Sequence, residues 1–225
     1  MNAFVWLVEK DLRCLHRAKH VVVSTLGFAL LLEVTAGFAF RQVGYGQIEL
    51  LEVTPGILWL IFLFAAVIAL NHSFLFEHEN EPMTGLLLTA ADPGTVYLAK
   101  CLSNFLLVGT MQVFTIGAHA LLFGADLSGK ILPLCAVSLL SALGLCAAGT
   151  LLAAIAVCTR GRELVLPLTL YPLLIPLVAG SVYLMREVIF EQTIDWGGFW
   201  FLTVLGFDVV ALVLCWVLFE YVVRE

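Results

Sequence analysis

The chain has 225 residues, 62% of them hydrophobic and 12% charged, with a net charge of -6 and a mean hydropathy of +1.04. No water-soluble globular domain of this size is so apolar, so composition excludes one and points to an all-α integral membrane protein. There is no basic stripe of the kind that nucleic acid requires.

The first predicted element, residues 3–18, is not a span. Phe4, Leu7, Val8, Leu12 and Leu15 recur at helical spacing, with Glu9, Lys10, Arg13 and Arg17 on other faces. That pattern predicts an amphipathic helix lying at the cytoplasmic interface. Six apolar stretches follow, at about 21–40, 55–76, 96–123, 131–158, 164–185 and 200–222. Each meets the roughly 20 residues needed to cross a hydrocarbon core of ~30 Å. The first is longer than the ~7–15 residues of a cleavable signal core, so it is expected to stay as an anchor. The longest joint, 77–95, falls far below the roughly 50 residues of a small domain, leaving one transmembrane domain over 1–225 with no soluble catalytic unit.

In the first span Glu33 stands about 12 residues in, or ~18 Å at 1.5 Å per residue, past the midplane. An ionisable group there is costly and marks a functional candidate: it either lines a pathway or pairs with another helix. Asp208 in the sixth span is a candidate of the same kind, and His119 in the third reads as a hydrogen-bonding helix contact. The fourth span carries Ser138, Ala142, Cys146, Thr150 and Ala154 four apart on one face, which packs either the bundle interior or a seam between copies. Pro167, Pro172 and Pro176 predict a kinked or broken fifth span, because each removes a backbone donor and crowds the preceding turn.

The joint 77–95 is rich in turn residues (Pro82, Gly85, Asp92, Pro93, Gly94) around an apolar Leu86–Leu87–Leu88 run, with Glu77, Glu79 and Glu81 before it. Asn71, His72, Ser73, Glu77, His78, Glu79 and Asn80 do not have the spacing of H-E-x-x-H or another tight ligand set and read as a solvated helix end. Gly124–Lys130, G-A-D-L-S-G-K, imitates a phosphate loop, but Ile131 stands where the magnesium-binding hydroxyl belongs and no strand precedes it. The run Asp195-Trp196-Gly197-Gly198-Phe199-Trp200 reads as interfacial anchoring. The six cysteines form no C-x-x-C and read as packing residues, so no metal site is expected, and no catalytic constellation is visible.

Charge position sets the orientation. Lys10, Arg13, Arg17, Lys19, Lys100, Arg160, Arg162 and Arg224, eight of the 11 basic residues, fall on one side if the N-terminus is cytoplasmic, leaving Arg41, Lys130 and Arg186 outside. The positive-inside bias then predicts both termini in the cytoplasm.

Several stretches, in order, resemble one family: E-K-D-L-R at Glu9–Arg13, P-G-I-L-W-L-I-F-L-F-A from Pro55, L-N-H-S-F-L-F-E-H-E-N from Leu70, G-L-L-L-T-A-A-D from Gly85, Y-L-A-K from Tyr97, G-T-L-L-A-A-I from Gly149 and R-G-R-E-L-V-L-P-L from Arg160. Together with the length and six-span layout, they resemble the CcmB family of cytochrome c maturation, although basic residues, often Arg, stand in that family where His72 and His78 stand here. The resemblance implies the membrane half of a type 2 ABC exporter in the bacterial inner membrane, itself non-catalytic. It implies a separate CcmA-like ATPase, CcmC-like and CcmD-like membrane subunits, indirectly a CcmE-like haem chaperone, and a second copy of this chain. By the same likeness residues 3–18 become the elbow helix, and the joint 77–95, with Glu77, Glu79, Glu81, Leu86, Leu87 and Leu88, becomes the segment that meets the ATPase. Haem is then cargo of the complex, with no cofactor assigned to the chain. The roles left open are haem delivery, release of a haem-loaded chaperone, export of lipid, polysaccharide or drug, and a scaffold without transport.

Overall fold

The computed structural model describes residues 3–17, 19–43, 47–80, 92–123, 127, 129–157, 159, 162–191 and 195–224. Among them the secondary structure is helical throughout: α1 Ala3–Arg17, α2 Lys19–Val43, α3 Gln47–Asn80, α4 Pro93–Phe123, α5 Ile131–Val157, α6 Arg162–Leu173, α7 Ile175–Phe190 and α8 Phe199–Arg224. In lipid a helix satisfies its own backbone donors and acceptors, which is why long apolar runs adopt no other form. Five of these helices, α2, α3, α4, α5 and α8, are long and apolar enough to cross a membrane, and α6 with α7 makes a sixth crossing if the bent pair is one span.

α5 is the central helix and packs on α3, α4, α6, α7 and α8. Ser138, Ala142, Cys146, Thr150 and Ala154 have no exposed surface at all. Their stripe therefore lies inside the bundle of a single chain, not on a seam between copies. Gly149 matters here because a Cβ at that position would run into the Leu70 side chain of α3. α2 and α8 form the rim, and large apolar side chains such as Val23, Phe38, Phe199 and Val213 stand exposed on them, as a lipid-facing surface requires.

One element departs from the sequence expectation and another bears it out. α3 begins at Gln47, ahead of the span start expected at 55, and carries Pro55 inside the helix. One missing donor is tolerated there, on a turn packed against neighbouring helices along one face, where Thr54 and Pro55 are both buried. The fifth apolar stretch, expected to kink or break, is two helices, α6 and α7, bent by 61° between Leu173 and Ile175. Pro176 cannot donate to the carbonyl four residues back, at Pro172, and its ring crowds that carbonyl, so the axis turns. Leu174 fills the corner with no exposed surface, and its amide still reaches the Leu170 carbonyl at 3.0 Å.

α1 lies against the bundle through Phe4, Leu7 and Val8, while Val5, Trp6 and Leu12 face outward. It is tied to α4 by an ion pair between Asp11 and Lys100, 3.1 Å apart, with only 12% and 6% of the two side chains exposed.

Candidate functional site

α2, α3 and α4 pack against one another, and each contributes one polar side chain to a common point. Glu33 of α2 and His119 of α4 have no exposed surface, and Thr54 of α3 is 1% exposed. His119 Nδ1 lies 3.0 Å from Glu33 Oε2, and His119 Nε2 lies 3.0 Å from Thr54 Oγ1. The Thr54 hydroxyl also donates to the Leu50 carbonyl at 2.9 Å.

Each ring nitrogen of His119 thus has a hydrogen-bonding partner, a carboxyl on one side and a hydroxyl on the other, which is how these polar groups are buried without being left unpartnered.

Phe123, one turn after His119, stacks on the imidazole with ring centres 4.2 Å apart and planes 19° from parallel. Gly37 of α2 faces that ring, and a Cβ there would lie 3.5 Å from it, in ordinary van der Waals contact. Chemically the junction can hold three helices in register. Glu33 Oε1 has no hydrogen-bond partner among the described residues.

The other expected positions fall elsewhere. Asp208 of α8 is 3% exposed and lies against the backbone of Gly144 on α5. Its oxygens make no hydrogen bond of standard geometry among the described residues. It is not part of the Glu33–His119 junction. Glu77 and Glu79 belong to the last turns of α3, while Glu81, Leu86, Leu87 and Leu88 lie outside the described residues. Lys130, the last residue of the phosphate-loop imitation, donates to the Ile189 carbonyl at 2.6 Å and so caps the end of α7. No group of three or more His, Cys, Asp or Glu among the described residues could hold a metal ion.

Sequence reasoning missed the polar stripe to which His119 belongs. Tyr97 donates to the Ala147 carbonyl at 3.1 Å, Asn104 to the Thr150 hydroxyl at 2.9 Å, and Gln112 is buried with neither end of its amide partnered among the described residues. Tyr97, Asn104, Gln112 and His119 recur about two turns apart, a spacing that puts them on one face of α4 and could have revealed the stripe.

Comparison with known proteins adds to this geometry. The family described as CcmB protein matches residues 2–224. A protein of Pseudomonas aeruginosa named "Heme exporter protein B" is 30% identical over 184 residues, covering 80% of this chain and 79% of that protein. One of the same name from Bradyrhizobium diazoefficiens is 27% identical over 192 residues, covering 84% and 83%.

Proposed function

The chain belongs to the CcmB family, and on that premise we propose that it is the membrane permease subunit of an ATP-driven complex that handles haem for cytochrome c maturation. The observation that carries the reading is the family match over residues 2–224, joined by two relatives that share the name "Heme exporter protein B". Membrane-length helices occupy nearly all of the described chain, which supports placing ATP hydrolysis in a separate CcmA-like subunit. The chain itself is then a non-catalytic, multi-pass protein of the bacterial inner membrane, with both termini cytoplasmic, working beside CcmC-like and CcmD-like subunits and a second copy of itself.

Under this reading the segment from Glu77 to Leu88 meets the ATPase. Glu77, Glu79 and Glu81 face basic groups at its rim, and Leu86, Leu87 and Leu88 enter an apolar groove. Closure of two ATPase subunits rocks the two permease copies, and the movement either delivers haem or releases a haem-loaded chaperone. Glu33, Thr54 and His119 keep α2, α3 and α4 moving as one body. Affinity purification of the tagged chain tests the reading: an ATP-hydrolysing subunit is expected to co-purify, and Leu87→Asp is expected to abolish that association. A wild-type chain that brings down no ATPase would contradict the permease assignment. An ATPase that still follows Leu87→Asp would contradict only the docking segment.

A further inference from the structure

A groove of about 570 Å³ opens between α2 and α3 with Val182 of α7 at its floor. Leu32 and Ile61 line one end, Phe40 and Glu52 the other, and Gly56 lies between. The space exists because the two facing helices carry small residues there. Ala36 and Ala39 line it from α2, and a Cβ added to Gly56 would meet no atom within 4 Å. From Glu52 to Ile61 it runs nine residues of α3, ~14 Å at 1.5 Å per residue. Half of a hydrocarbon core of ~30 Å is ~15 Å, so the groove has the depth of one leaflet. Its flanks are lipid-facing: Phe38 is 67% exposed and Leu60 51%. Among the described residues Glu52 is the one charged residue on its wall, exposed at the end next to the start of α3.

We propose that this groove is a phospholipid site. An acyl chain of the leaflet at the start of α3 lies along Gly56, and the headgroup is one with a primary ammonium, as in phosphatidylethanolamine, held by the Glu52 carboxylate. The chemistry follows from the wall. Apolar side chains over the depth of one leaflet suit a hydrocarbon tail, and a carboxylate at headgroup level attracts an ammonium and repels an anionic headgroup. Leu32 and Val53 of the wall are the sequence neighbours of Glu33 and Thr54. A bound chain therefore wedges α2 and α3 directly beside the Glu33–His119 junction.

The test is native mass spectrometry of the purified full chain in detergent, titrated with phosphatidylethanolamine and with phosphatidylglycerol of the same chain length. Wild-type protein is expected to retain one phosphatidylethanolamine in preference to phosphatidylglycerol by roughly three-fold, the scale of one exposed ion pair. Glu52→Gln is expected to keep a bound lipid but lose the preference. Gly56→Phe is expected to lose retention of both lipids, and Ala39→Leu, which fills the same space from α2, serves if the first variant misfolds. Equal retention of the two lipids by wild-type protein would overturn the headgroup assignment. Undiminished retention by a folded groove-filling variant would overturn the site, as would a protein subunit found covering the groove and displaced by that variant in place of lipid.

Discussion

Near its start α4 is held to α1 by Lys100 and Asp11; near its end it is held to α2 and α3 by His119. The lower joint is partly open, with 6% and 12% of its side chains exposed, whereas the upper joint is sealed at 0% on both sides. Lys100 and Asp11 keep a small exposed edge, and because they are mostly buried their bond is only weakly screened by salt. Glu33 and His119 are fully enclosed, and the imidazole has a second partner in Thr54. The same helix thus uses an ion pair with a small exposed edge near one end and a fully enclosed carboxyl–imidazole–hydroxyl junction near the other. The more completely a polar group is buried, the more it depends on a partner.

That contrast can be broken first at the sealed end. His119→Leu leaves Glu33 buried with no partner and is expected to cost about 3–5 kcal/mol, the range for stripping one member from a buried pair. Thermal unfolding of the purified chain in detergent measures it. The double variant Glu33→Leu/His119→Leu is expected to recover most of the loss, because the orphaned carboxyl is gone. Equal damage in single and double variants would mean that the two residues are not coupled.

At the open end Lys100→Met is expected to do less, about 1.5–3 kcal/mol, the worth of a hydrogen bond to a charged group. Its signature is local: α1 loosens, and Cys14, half-buried on α1, is labelled faster by a membrane-impermeant maleimide. An unchanged labelling rate would show that apolar packing of Phe4, Leu7 and Val8 holds α1 without the ion pair. The smallest effect is expected from Thr54→Val, which keeps the branched shape and removes the hydrogen-bonding partner of His119 Nε2. It should lower stability by about 0.6 kcal/mol and by no more than ~1.7 kcal/mol, the measured range for hydrogen bonds between helices in a membrane. A larger loss would indicate that Thr54 does more than partner His119.

How much of this was legible in the sequence depended on distance along the chain. The amphipathic α1, the apolar runs and the break among the three prolines are local patterns, and Phe4, Leu7 and Pro176 reveal them one turn at a time. Glu33 and His119 stood out singly, as polar residues in apolar surroundings. Their union did not, because residues 86 apart meet only once the neighbours of α4 and their register are known. Thr54 was hidden by its neighbour: beside Pro55 it reads as the edge of a span, whereas α3 in fact begins at Gln47. Lys100 was legible as a basic residue bordering the third span, but its bond to Asp11 rests on how α1 folds back on the bundle.

The most direct test of the functional account is a haem-stained gel of membranes from a strain lacking this gene, with and without the gene restored. The account predicts loss of covalently haem-stained cytochromes in the deletion strain and their return on complementation. Undiminished staining in the deletion strain would contradict the role in cytochrome c maturation.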